Sequence, residues 1–185
     1  MRRAPAKLLC VLLGVVGGWA SALWFIDSVG STPAGTTGSW RKWDLASGTS
    51  SNPYALAHFL FEGRVPPAQS LFHVYSNSRD DDGNNLQSDC TYRISAEVLE
   101  SRWWSLSVGP LDSPDKDSSS VITSEEVVRG SDSSVDVAVA RHPVAGNWIR
   151  PAMAGSMVIQ LVVSNEGASQ AAASLTLPKV QRVGC

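Results

Sequence analysis

Two patterns of apolar and polar positions divide the chain. From Leu8 to Ile26 about 19 consecutive positions carry no charge, close to the roughly 20 residues that cross a bilayer core as a helix. Beyond residue 70 the apolar positions recur with period two. In "SLFHVYSNS" Leu71, His73 and Tyr75 oppose Phe72 and Val74, and in "CTYRISA" Tyr92, Ile94 and Ala96 oppose Thr91, Arg93 and Ser95. Val135, Val137 and Val139 share a face in "SSVDVAVAR". Met157, Ile159, Leu161 and Val163 share one in "SMVIQLVVS". Such alternation predicts half-buried strands, and clusters of Gly, Pro, Asp and Ser separate them. Strand and helix patterns do not alternate, as a parallel sheet would require. The expected fold is all-β: an antiparallel β-sandwich, jelly-roll-like, with one N-terminal helix in the domain and a separate transmembrane helix.

That domain helix is read from "SNPYALAHFLFEG". Asn52 suits the cap, Pro53 the first turn and Gly63 a left-handed stop. Tyr54, Ala57, His58 and Phe61 form one stripe, widened by Leu56, Phe59 and Leu60, which predicts a helix buried on most sides with His58 packed among its neighbours. In "SRWWSLSVG" Trp104, Leu106 and Val108 belong to the inner face. Trp103 stands with Ser105 and Ser107 on the other, either covered by a loop or helix or open as a platform for a ligand ring or a partner.

The flanks of the apolar run assign its orientation. Arg2, Arg3 and Lys7 precede it, Asp27 follows it and Trp24 lies near the far end, so the N-terminus is expected in the cytoplasm and the remainder outside. The layout is therefore an anchor at 1–29, a Gly/Ser/Thr-rich tether at 30–49 and a β-sandwich domain at 50–185. Localisation follows as a single pass of a bacterial inner membrane with a periplasmic domain. "ASA" at Ala20–Ala22 also fits a cleaved signal peptide, and that alternative exports the domain too. Cys10 lies within the apolar run, and no small residues precede it as lipidation would need.

A formal net charge of −2, with no Lys/Arg block, leaves no basic surface for a nucleic acid. The three cysteines and three histidines lack metal-finger spacing. Cys90 and Cys185 both lie beyond the anchor, where disulfides persist, and are expected to pair. "SRDDDGNNLQSD" gathers Asp80, Asp81, Asp82 and Asp89 around Gly83, a partial match to a calcium loop. An Asp-Gly turn between strands accounts for it more simply. Nucleophile-elbow, P-loop, zincin and dinucleotide motifs are all missing. Asp112, Asp115, Asp117, Glu125 and Glu126 read as solvated surface. His142, before Pro143 and near Asn147 and Trp148, is a candidate site residue. Neither a catalytic set, a metal site nor a cofactor is expected.

The order "VYSNSRDDDGNNLQSDCTYRIS", "RWWSLSVGP", "GNWIRP" and "GSMVIQLVVS" resembles the bacterial domain of unknown function 1214 family over roughly residues 50 to 185. The matching positions are Asp82, Gly83, Tyr92, Trp104, Ser105, Leu106, Asn147, Trp148 and Pro151. The chain departs from the family pattern at Gln160 and Val162, where members commonly carry arginine and tyrosine, and Arg150 separates the Asn-Trp-Ile run from Pro151. The resemblance implies a jelly-roll-like domain that in larger members follows a companion domain, here replaced by the anchor. It implies no reaction. The expected function is a non-catalytic envelope module, held in the inner membrane, that binds a glycan, a small ligand or a protein through Trp103, Trp148, Asn147 and His142. The alternative is an envelope enzyme or enzyme accessory with its site near His142 and Asn147.

Overall fold

The computed structural model describes residues 3–30, 35–43, 53–61, 71–96, 101, 103–111, 120–151, 154–164 and 176–185. They divide into two units. The first holds helix α1 (Arg3–Gly30) and helix α2 (Pro53–Phe61), which pack together. Lys7–Gly30 is long and apolar enough to cross a membrane. The expected burial of α2 on most sides does not hold, because Tyr54 is 44% and Leu60 60% exposed. Within its unit its partner is α1. The cap Asn52, the stop Gly63 and the side chain of His58 lie outside the described residues.

The second unit is a β-sandwich. Its strands are β1 (Gly35–Thr37), β2 (Trp40–Trp43), β3 (Phe72–Asn77), β4 (Thr91–Ala96), β5 (Trp104–Pro110), β6 (Ser120–Thr123), β7 (Val135–Val139), β8 (Asn147–Ile149), β9 (Met157–Ser164) and β10 (Lys179–Gly184). Six form one sheet in the order β1-β2-β3-β9-β5-β6, and four form another in the order β10-β4-β7-β8. Alternation dictates the inner faces: Trp104, Leu106 and Val108 of β5 and Ile159, Leu161 and Val163 of β9 meet Tyr92 and Ile94 of β4, Val137 and Val139 of β7, and Val180 of β10. Each fully buried large aliphatic side chain contributes roughly 1.5–3 kcal/mol, so the sandwich rests on this stripe.

The structure adds two details to the expected layout. The tether at 30–49 carries strands β1 and β2. Trp40 is buried and its Nε1–H donates to the carbonyl of Pro178 at 2.7 Å. Gly38, at φ 61°, supplies the left-handed turn that a side chain would resist. Backbone pairing to β3 through Arg41–Ser76, Lys42–Tyr75 and Trp43–Val74 does not require an apolar run, so the short Gly-Thr-Thr of β1 and Trp-Arg-Lys-Trp of β2 did not mark an edge hairpin. The sandwich is also not wholly antiparallel, because β8 runs parallel to β7. Gly146, at φ 92°, turns the chain there, and Ala140 N–H donates to Ile149 O at 3.2 Å.

The two C-terminal fastenings meet at one loop. Cys90 and Cys185 form a disulfide with an S–S distance of 2.02 Å. Asp80, buried within the acidic stretch, pairs with Arg182 Nε at 3.0 Å, although that N–H points off the line to the carboxylate. Asp80 Oδ1 also accepts the Asn84 amide at 2.7 Å, while Asp81 exchanges hydrogen bonds with Val180 through its amide and its carboxylate. Gly83, at φ 86°, closes the turn. The acidic stretch is thus an Asp-Gly turn clasped to β10.

Candidate functional site

The sequence-derived site residues fall on different parts of the sandwich. Trp103 precedes β5 on the outer side of the six-stranded sheet. It is half-buried, edge-on to Phe72 at 5.9 Å between ring centroids. Its amide and carbonyl are both held by Ser164, and its carbonyl also accepts the Ser101 hydroxyl. Trp148 lies on β8 in the other sheet, so the two indoles do not share a surface. His142 is exposed on a bend. Its neighbour Arg141 reaches back to Ser88, donating from Nε to the carbonyl and from Nη2 to the hydroxyl, both at 3.0 Å.

Asn147 serves the fold. Its Oδ1 accepts the Val128 amide at 2.7 Å, and its Nδ2 donates to the carbonyls of Val128 at 2.7 Å and Asp136 at 2.9 Å. Both of its amide hydrogens are engaged, and the side chain ties the loop around Val128 to β7 and β8.

Trp148 differs. It pairs with Ala138, while Ile149 and Val139 beside them point inward; Trp148 therefore faces outward. Its Nε1–H donates to the Ala140 carbonyl at 2.8 Å, which fixes the ring in a half-exposed position. The registers continue the row across the sheet: Ala138 faces Arg93 and Arg93 faces Gln181. The next row sets Asp136 beside Ser95 and Ser95 beside Lys179. Arg93, Gln181, Asp136 and Lys179 are exposed. The outcome is a solvent face with an indole at one edge, a small alanine beside it and hydrogen-bonding groups of both charges across it. Strand spacing of about 4.8 Å puts the backbones of Trp148 and Arg93 roughly 10 Å apart. Periodicity reveals that Arg93 is an outward residue. That Arg93, Asp136 and Gln181 lie near Trp148 depends on strand order, which no local signal carries.

Between the sheets, Ile94, Ala96, Trp104, Leu106, Val135, Val137, Leu161 and Pro178 line a gap of about 10 Å³, room for about one water and far below the roughly 300–1,000 Å³ of ordinary ligand pockets. Trp104 Nε1–H is buried there without a hydrogen-bond partner. Among the described residues no group of three or more His, Cys, Asp or Glu side chains is placed to hold a metal ion. Burial raises the Tyr75 hydroxyl above its ordinary value, and Asp132 is held below the usual carboxylate range by hydrogen bonds from Ser134.

These features define a two-sheet β-domain joined to an apolar helical unit. The family described as "Protein of unknown function (DUF1214)" matches residues 73–163, and the sandwich belongs to it. The VPA0106 protein from Vibrio parahaemolyticus is similar in fold, with 12% identity and a TM-score of 0.59 over 97% of this chain and 46% of that one. An uncharacterised protein from Burkholderia cenocepacia aligns at 13% identity and a TM-score of 0.45, over 60% of this chain and 29% of that one. The chain spans less than half the length of either. No curated protein matches the sequence.

Proposed function

We propose that this chain is a non-catalytic binding module of the bacterial envelope, anchored in the inner membrane by α1 with its sandwich in the periplasm, and that it takes a glycan on the outer face of the four-stranded sheet. The observation that carries this reading is the fixed, half-exposed indole of Trp148 in register with Ala138, Arg93 and Gln181. A sugar ring has an apolar face of C–H groups and a rim of hydroxyls. The indole suits the first, and Arg93, Asp136 and Gln181 suit the second. An open sheet face fits a chain-like ligand better than a small molecule, which needs an enclosing pocket. The enzyme alternative gains no support from the geometry, because the Asn147 amide is committed to backbone groups and His142 sits on an exposed bend.

Co-sedimentation of the full chain, in mild detergent, with purified peptidoglycan sacculi tests the proposal. Binding is expected, and Trp148→Ala should weaken it by about tenfold or more, the equivalent of roughly 1.4 kcal/mol. Retained binding by a folded Trp148→Ala protein, or no binding by the parent chain to sacculi or to any soluble glycan tried, would refute it.

A further inference from the structure

Helix α2 is largely apolar, with His58 its one strongly polar side chain. "PYALAHFLF" contains no charged residue. Tyr54 and Leu60 are exposed while Leu56 and Ala57 are partly covered. A short amphipathic helix lying on a surface would show a polar side. A helix apolar on nearly all sides belongs inside a protein core or in lipid.

The position of α2 along α1 indicates which. The uncharged run from Leu8 to Ile26 is about 28 Å long at 1.5 Å per residue, matching a hydrocarbon core of roughly 30 Å. Phe25, the next-to-last residue of that run, meets the Tyr54 ring at 6.0 Å between centroids and the Trp24 ring at 5.2 Å. Helix α2 therefore touches α1 where hydrocarbon gives way to headgroups, at a cluster of aromatic rings of the kind enriched at that depth. Nine residues make a helix of about 13 Å. That length cannot span the bilayer, but it can lie within one leaflet with both ends at the polar layer, where unpaired terminal amides and carbonyls find partners.

We infer that α2 is a second membrane contact: a monotopic helix seated among the acyl chains of the outer leaflet, against the last turns of α1. The inference rests on α1 remaining in the bilayer, and it is independent of the glycan reading. In the seated state Leu60 and Tyr54 face lipid.

The test uses the full chain with Cys10→Ser and the native disulfide intact. Single cysteines are introduced by Leu60→Cys in α2, Leu23→Cys in α1 and Val121→Cys on the exposed side of β6, each labelled with bimane. The proteins are reconstituted in phosphatidylethanolamine/phosphatidylglycerol vesicles whose acyl chains carry bromine near the headgroup end. Quenching at Leu60→Cys comparable to that at Leu23→Cys, and severalfold above that at Val121→Cys, is the expected result. Quenching at Leu23→Cys without quenching at Leu60→Cys overturns the seat of α2 and leaves the anchor standing. Absence of quenching at both positions removes the anchor and the inference with it. Disulfide-linked dimers through unlabelled Leu60→Cys, with no quenching in the labelled protein, identify a second copy as the cover and also overturn the inference.

Discussion

Replacing Asp80 by asparagine keeps the shape of the side chain and removes one charge from the clasp between the acidic turn and β10. The Asp80 side chain is fully buried, whereas Arg182 retains 28% exposure. Breaking a fully buried ion pair from one side costs roughly 3–5 kcal/mol, mainly through the charge left behind. Here the cost is smaller for three reasons. Water reaches part of the guanidinium. Its Nη2 still donates to the Asn85 carbonyl at 3.0 Å. Its cation still lies 5.5 Å from the centroid of the Tyr92 ring. Asparagine also preserves an acceptor for the Asn84 amide, but its NH₂ group must then face another donor. The expected loss is about 2–3 kcal/mol, which for a chain of this size lowers Tm by roughly 4–12 °C. Urea unfolding followed by the fluorescence of buried Trp40 and Trp104 measures it. A cycle with Arg182→Met separates the pair from its surroundings: the double variant should be less destabilised than the sum of the single ones by about 1–2 kcal/mol. A loss below about 0.5 kcal/mol for Asp80→Asn, the ordinary range of an unremarkable surface change, or additivity across the cycle, would refute the claim that the ion pair fastens β10.

Other perturbations test separate parts of the sandwich. Cys185→Ser opens a bridge that joins residues 95 apart and should cost roughly 4–5 kcal/mol in the chain-entropy account; thiol labelling of exported, denatured but unreduced protein should find Cys10 alone, and a free Cys90 would contradict the bridge. Trp104→Ala should cost roughly 3–5 kcal/mol as a core truncation, whereas Trp103→Ala, which loses a half-buried ring and its edge contact with Phe72, should cost about 1–2 kcal/mol; equal losses in chemical denaturation would contradict the assignment of opposite faces. Asn147→Ala leaves the Val128 amide and the Val128 and Asp136 carbonyls without their side-chain partner, and a loss of about 1–3 kcal/mol is expected by the same measurement.

Strands with one buried face were legible because burial imposes period two on the sequence, as in Trp104-Ser105-Leu106-Ser107-Val108. The hairpin of β1 and β2 was not, because strands of three and four residues, Gly-Thr-Thr and Trp-Arg-Lys-Trp, held by backbone pairing and one buried indole are too short to show a period. The partner of α2 was hidden for a different reason: a largely apolar helix matches a protein core and a lipid leaflet equally well, and its packing against α1, seen in the contact of Tyr54 with Phe25, is not written in its own pattern. Pairing of Cys90 with Cys185 could be argued from compartment alone, since two thiols beyond the anchor had no other partner. Trp148 was visible as a candidate, but Arg93, Asp136 and Gln181 come from three strands whose adjacency is a matter of topology.

The residues that carry the family resemblance help to explain why it defines a fold and no activity. Gly83 adopts a left-handed turn, and Tyr92 lies buried with its hydroxyl accepting the Gln87 amide at 2.9 Å. Trp104 fills the core, and Asn147 bridges Val128 and Asp136 through backbone groups. Even Trp148 spends its ring N–H on the Ala140 carbonyl. Each holds chain segments together, and each is needed whatever the domain binds. The solvent side of the four-stranded sheet is under no such demand: Arg93, Asp136, Lys179 and Gln181 can change without unfolding the sandwich. Under the proposed binding reading, ligand choice would vary on that face while the scaffold pattern stays fixed. Among the matching residues, Trp148 alone combines a scaffold bond with a half-exposed aromatic surface on that face, so its substitution touches folding as well as the proposed binding, and Arg93→Ala or Gln181→Ala, exposed on the same row, is the change that separates the two.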